Sequence, residues 1–128
     1  METGPVQMCE DLIALLRHIK STMTELSEPY GLTPPQTAAM YAISHGDFRM
    51  GSVAQTLHCD ASNATGIIDR LVSQGLVARQ ESEKDRRVKT LQLTERGSQI
   101  VDEIVAKMPD ALGCTRLSAQ EREAMHAS

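Results

Sequence analysis

The stretch Asp60–Thr94, DASNATGIIDRLVSQGLVARQESEKDRRVKTLQLT, contains a change of period that decides the fold. In its first part Ala64, Ile67, Ile68 and Leu71 fall at i, i+3, i+4 and i+7, the spacing of one apolar stripe on a helix. The opposite side carries Ser62, Asn63, Thr65, Gly66, Asp69, Arg70 and Ser73, most of them too short to hold a second surface at a distance. Asp60 stands where an N-cap accepts the first free amides, and Gly75 where a left-handed residue ends a helix. After Gly75 the period falls to two: Leu76–Glu81 and Val88–Leu93 read as strands of a hairpin. A helix with a small polar ridge, followed at once by a hairpin, reads as a unit that enters a groove of duplex DNA.

The segment joining the strands, Ser82-Glu83-Lys84-Asp85-Arg86-Arg87, is longer than a tight hairpin turn requires, and its charges suit a projecting wing. A guanidinium held by a neighbouring carboxylate loses less freedom on entering a narrow minor groove, where negative potential concentrates. Asp85 is therefore expected to act as a clamp and Arg87 as the probe.

Working outward, the polar-ridged helix is preceded by Ser52–His58, a short helix with Val53, Ala54 and Leu57 inward, and by the turn His58-Cys59-Asp60. Two helices joined by a tight turn, the second polar outside, form a helix-turn-helix. Upstream, Thr33 and Gln36 have the spacing of a capping box with Pro34 in the first turn, opening a helix that ends near Ser44 with Ala38, Ala39, Ala42 and Ile43 inward. Upstream again, Val6–Leu26 repeats apolar residues at three and four through Cys9, Leu12, Ile13, Leu16, Ile19, Met23 and Leu26. A helix this long at the start of a small domain has more apolar surface than one core covers, which implies a subunit contact. Beyond the hairpin, Thr94 caps a helix carrying Ile100, Val101, Ile104, Val105 and Met108, bent or ended at Pro109. Ser118 and Glu121 then repeat the capping-box spacing before a final helix that looks cut short at Ser128. The expected organisation is a first dimerisation helix over 1–30, a DNA-binding unit over 31–94 and C-terminal dimerisation helices over 95–128, interlocked as one structural domain. The fold class is mainly α with a small β-hairpin wing.

At 128 residues the chain has the length of one domain, and with two Tyr, one Phe and no Trp its core must be aliphatic, as suits helices packed on helices. It shows no apolar run of membrane-spanning length and no basic-then-apolar leader, so a cytoplasmic protein is expected, on the nucleoid when bound to DNA. Three cysteines without paired spacing fit a reducing compartment. The net charge of −4 opposes nucleic-acid binding, but its distribution is uneven. Residues 60–90 carry six Lys/Arg against five Asp/Glu, whereas 1–59 carry three against six and 91–128 four against six. Such a modest excess implies modest nonspecific affinity that salt weakens. Asp69, a carboxylate on the proposed reading side, is expected to orient an arginine, either Arg70 next to it or Arg79 across space.

Leu32-Thr33-Pro34-Pro35-Gln36, Ile68-Asp69-Arg70-Leu71 leading to Gly75-Leu76-Val77, Asp85-Arg86-Arg87 and Leu93-Thr94-Glu95-Arg96-Gly97, in this order and spacing, resemble the MarR family of bacterial transcription regulators over roughly residues 6–108. The resemblance implies a winged helix-turn-helix homodimer on pseudo-palindromic duplex DNA, usually a repressor relieved by a small-molecule effector or by oxidation. Carried over by position, Ser62, Asn63, Thr65, Gly66 and Arg70 lie in or beside the major groove, Asp85 and Arg87 form the wing-tip pair, and Arg86 stands beside them. Cys9 matches the peroxidatic cysteine of the hydroperoxide-sensing branch, but the tyrosine positions of that branch hold Ile13 and Met23. Cys59 is expected in the core, and Cys114 in the loop after Pro109.

His18, His45, His58 and His126 make no metal-ligand spacing, and neither a nucleophile elbow nor a phosphate-cradling glycine loop is present, so no cofactor, metal or enzymatic activity is expected. Two alternatives stand beside the DNA-binding regulator: a thiol-based redox sensor acting through Cys9, and a winged helix used as a protein-interaction module.

Overall fold

The computed structural model describes residues 4–46, 49–81, 84 and 89–127, the side chain of Arg122 excepted. Helix α1 (Pro5–Ser27) leads through a 3-10 turn (Glu28–Tyr30) into α2 (Pro34–Ser44), then α3 (Met50–Thr56) and α4 (Ala61–Ser73). Strands β1 (Val77–Glu81) and β2 (Lys89–Leu93) follow, then α5 (Glu95–Ala111), a second 3-10 turn (Cys114–Arg116) and α6 (Ala119–Ala127). The strands pair antiparallel, with Val77 opposite Leu93 and Glu81 opposite Lys89. Arg49 adds a single bridge to Thr90, tying the entrance of α3 to the second strand of the hairpin.

The ends of these elements follow from local chemistry. Thr33 and Gln36 form the reciprocal capping box read from the sequence, Gln36 Oε1 accepting from the Thr33 amide at 2.9 Å. Asp60 Oδ1 accepts the Asn63 amide at 2.7 Å, and Thr94 Oγ1 accepts the Gly97 amide at 3.1 Å. Ser118 and Glu121 close a second box, and the Ser118 backbone amide, more than its hydroxyl, holds the Glu121 carboxyl below the usual glutamate range.

Helices α3 and α4 end in the same way. In each, two amides past the end turn back onto carbonyls of the last turn, Cys59 to Ala54 and His58 to Gln55 in α3, Leu76 to Leu71 and Gly75 to Val72 in α4. The residue at the bend must be left-handed: Gly75 has φ +75° and His58 φ +53°. The predicted helix Ser52–His58 is therefore displaced, because its last residue adopts a conformation that a histidine side chain does not announce. Likewise α5 runs on through Pro109 to Ala111, past the residue at which the sequence predicts a bend or an end.

Leu32, Met40, Ile43, Val53, Ile68, Leu71, Leu76, Leu91 and Ile104 form the centre of one core, joining the helix-turn-helix to the base of the hairpin and to α5. Ala38, expected inward, is exposed on α2, and Leu57 and Cys59 are only half-buried. Where polar groups are buried they are paired, as in the Ser27 hydroxyl, which bonds the Met23 carbonyl at 2.7 Å and the Thr37 hydroxyl at 2.8 Å between α1 and α2.

Among the described residues, the only buried positions of α1 are Thr22 and Ser27, at its C-terminal end. Residues 4–21 are exposed throughout, including Val6, Met8, Leu12, Ile13, Leu15, Leu16 and Ile19. No described helix is long and apolar enough to cross a membrane.

Candidate nucleic-acid interface

Helix α4 is positioned by its apolar stripe: Ala64, Ile68 and Leu71 are each fully buried, and Ile67 is half-buried against the same core. Burying those side chains turns the polar ridge outward, so Ser62, Asn63, Thr65, Gly66, Asp69, Arg70 and Ser73 are all exposed. Asn63, Gly66 and Arg70 line a groove of about 320 Å³ together with Thr33 and Pro35 from the first turn of α2. The contribution of α2 links residues some thirty positions apart, and no local signal in the sequence announces it.

The ridge hydroxyls are already engaged with their own helix. The Thr65 hydroxyl donates to the Ala61 carbonyl at 2.8 Å, that of Ser62 to Asp60 Oδ1 at 3.2 Å, and that of Ser73 to the Arg70 carbonyl at 2.8 Å. With their protons committed, Ser62 and Thr65 offer outward an acceptor oxygen and, for Thr65, a methyl group. Asp69 pairs with Arg79 of β1, the arginine across space rather than its sequence neighbour Arg70. Both side chains keep solvent contact, 34% for Arg79 and 55% for Asp69, so the pair adds at most about 1 kcal/mol to stability. Its larger consequence is to cancel a carboxylate on the exposed side of α4 and to fix that helix to the hairpin.

Strands β1 and β2 close at Glu81 and Lys89, so residues 82–88 connect them. Asp85, Arg86 and Arg87 lie outside the described residues. Cys9 is exposed on α1, with Ile13 one turn further along. Both tyrosines of the chain are engaged elsewhere, Tyr30 with Glu103 and Tyr41 against the His45 ring at 4.3 Å. Among the described residues no group of three or more His, Cys, Asp or Glu is arranged to hold a metal ion.

Two helices joined by a left-handed turn, the second exposing a polar ridge and followed by a two-stranded hairpin, define a winged helix-turn-helix protein. The family model described as MarR family matches residues 30–88. An uncharacterised HTH-type transcriptional regulator, YsmB of Bacillus subtilis, is 30% identical over 117 residues, covering 88% of this chain and 80% of the relative. The HTH-type transcriptional repressor MdtR of the same organism is 34% identical over 96 residues, covering 74% of this chain and 62% of the relative. The crystal structure of a mutant MarR from E. coli complexed with operator DNA superposes with a TM-score of 0.74 at 23% identity, covering 95% of this chain and 91% of that one. The chain belongs to the MarR family: it is a DNA-binding transcriptional regulator and not an enzyme.

Proposed function

We propose that the protein is a homodimeric repressor that binds pseudo-palindromic duplex DNA in the cytoplasm and is released by a small apolar effector. In this reading α4 enters the major groove with Ser62, Asn63, Thr65, Gly66 and Arg70 in or beside it. Arg86 and Arg87, with Asp85 as clamp, reach the adjacent minor groove. The names of two similar proteins agree with it, one a repressor and one complexed with operator DNA.

The observation that carries the reading is Gly66. It stands in the middle of α4, and a Cβ built there meets nothing within 4 Å. Glycine inside a helix costs about 1 kcal/mol relative to alanine, and no packing among the described residues requires it. A bare backbone on an exposed ridge is useful to a surface that approaches from outside. Replacing it therefore separates folding from binding: Gly66→Ala is expected to raise the unfolding midpoint slightly while lowering affinity for operator duplex about tenfold, roughly 1.4 kcal/mol. Thermal melts and fluorescence anisotropy on the same samples check both signs, and undiminished affinity would remove the argument.

For the wing, Arg87→Ala is expected to weaken duplex binding and to reduce by about one the slope of log affinity against log salt. If the winged helix served instead to bind a protein, neither quantity would move.

The homodimer is supported by the exposed apolar side of α1. The effector reading is supported by an apolar cavity of about 170 Å³ between α1, α2 and α5, lined by Met23, Thr37, Tyr41, Val101, Val105 and Met108 among others. With aliphatic walls and a single aromatic edge, it suits a small uncharged molecule. A ligand there would bias the angle between α5 and the reading unit, and could lower DNA affinity only by its preference between the two arrangements.

A further inference from the structure

The corner between the first two helices is held from two directions. On one side the Tyr30 hydroxyl donates to Glu103 Oε2 of α5 at 2.7 Å. Lys107, one turn further along α5, donates to that same hydroxyl oxygen at 3.2 Å and lies 5.4 Å from the ring centre. On the other side the side-chain amide of Gln74, the C-cap of α4, donates to the Gly31 carbonyl at 3.3 Å. Tyr30 and Gly31 share a peptide bond, and their place is fixed further: the Tyr30 ring packs against the core, and Gly31 is left-handed at φ +70°.

From this juxtaposition we propose that the Tyr30-Gly31 corner is a mechanical relay that sets the orientation of α4 relative to α5, with Tyr30 as its positioning residue. The proposal rests on the reading of α4 as the DNA-reading helix. Its physical basis is stiffness. A hydroxyl that donates to a carboxylate at 2.7 Å while accepting from an ammonium at 3.2 Å has little freedom, because a hydrogen bond to a charged group is stronger than one between neutral groups. The carbonyl that Gln74 grips belongs to the next peptide, Gly31–Leu32, and the two successive planar units are braced at their amides, Gly31 on the Glu28 carbonyl at 2.9 Å and Leu32 on the Ser27 carbonyl at 3.2 Å, so a displacement of the ring reaches that carbonyl. Glu103 and Lys107 alternate along α5 with Val101, Ile104, Val105 and Met108, which line the apolar cavity. A molecule entering that cavity thus presses on the helix that holds Tyr30, and the corner conveys the shift to the last turn of α4.

The test is a double-mutant cycle read by operator affinity, with peptide-resolved amide exchange on the free protein as a second readout. Tyr30→Phe keeps the ring and removes the hydroxyl, and Gln74→Ala removes the grip on Gly31. Each is expected to lower affinity about fivefold, the worth of one hydrogen bond, and the double variant to lose no more than either alone, because both break one chain of contacts. Tyr30→Phe is also expected to speed exchange about fivefold across residues 71–77 and to leave the N-terminal turn of α2 unchanged. Additive losses, near twenty-five-fold in the double variant, overturn the relay, as does a uniform rise in exchange across all helices, which is the mark of a merely structural tyrosine. Should the wild-type protein bind no duplex, the DNA reading fails by itself, and the exchange measurement decides the relay alone.

Discussion

Gly97→Ala is expected to destabilise the protein by about 3 kcal/mol, although helix propensity by itself predicts a gain of about 1 kcal/mol. Gly97 is buried in the first turn of α5, and a Cβ there would lie 2.2 Å from the Leu76 carbonyl oxygen and 3.1 Å from its carbon. Neither partner has room to retreat. The Leu76 oxygen accepts the Thr94 amide at 3.0 Å, the Leu76 amide is bound to the Leu71 carbonyl, and the Leu76 and Val77 side chains are buried. From the other side Thr94 grips this crossing twice, its hydroxyl donating to the Gly75 carbonyl at 2.7 Å while accepting the Gly97 amide. To admit a methyl group, the start of α5 must lift away from the end of α4, breaking the cap and opening the base of the hairpin. Urea denaturation should show a lower midpoint with little change in slope, and a thermal midpoint lower by roughly 10 °C. An unchanged or higher midpoint would mean that α5 adjusts freely, and that Leu93-Thr94-Glu95-Arg96-Gly97 owes its glycine to something other than this contact.

The contrast with Gly66 shows which parts of the molecule were legible in the sequence. Both glycines sit in helices, and composition does not separate them. Only the neighbours show that one meets a carbonyl at 2.2 Å and the other open space. Elements whose ends are set by a side chain onto nearby backbone were readable, as at Thr33, Asp60, Thr94 and Ser118, because the acceptor lies within three residues of the amide it satisfies. The short helix α3 was not. Its cap Arg49 makes no side-chain capping bond and is held by its bridge to Thr90, some forty residues away, while its end turns on His58, a residue type that rarely signals a left-handed bend. The outward face of α4 followed from spacing alone, since its apolar stripe leaves the other residues one side to occupy. The contribution of Thr33 and Pro35 to the groove beside α4, and the grip of Gln74 on Gly31, depend on how helices stack in space. For Ala38 the local pattern pointed inward, but its direction on α2 is the one that lines the apolar cavity, so it stays exposed.

The second large effect concerns α1, whose apolar side from Val6 to Ile19 is exposed among the described residues of the protomer. In the proposed homodimer, replacing Leu12 and Leu16 together by glutamine is expected to raise the dimer dissociation constant about a thousandfold or more. The leucines are 58% and 50% exposed and lie one turn apart, so both belong to one stripe. Burying a leucine contributes roughly 2 kcal/mol, and an interface about a two-fold axis uses each position twice. The total at stake is on the order of 8 kcal/mol, and realising half of it gives the stated shift. Glutamine is chosen because it suits a helix nearly as well as leucine and adds no charge, so a loss of DNA affinity cannot be attributed to repulsion from phosphates. Sedimentation velocity at micromolar protein should show the variant as a monomer. Far-ultraviolet circular dichroism should remain helical, since Leu12 and Leu16 lie outside the buried core and α1 stays anchored at Thr22 and Ser27. Operator affinity should fall at least about a hundredfold, because the second half-site no longer benefits from the first. A variant that remained dimeric would show that another surface joins the subunits, and a monomer that held the operator undiminished would show that one reading helix is enough.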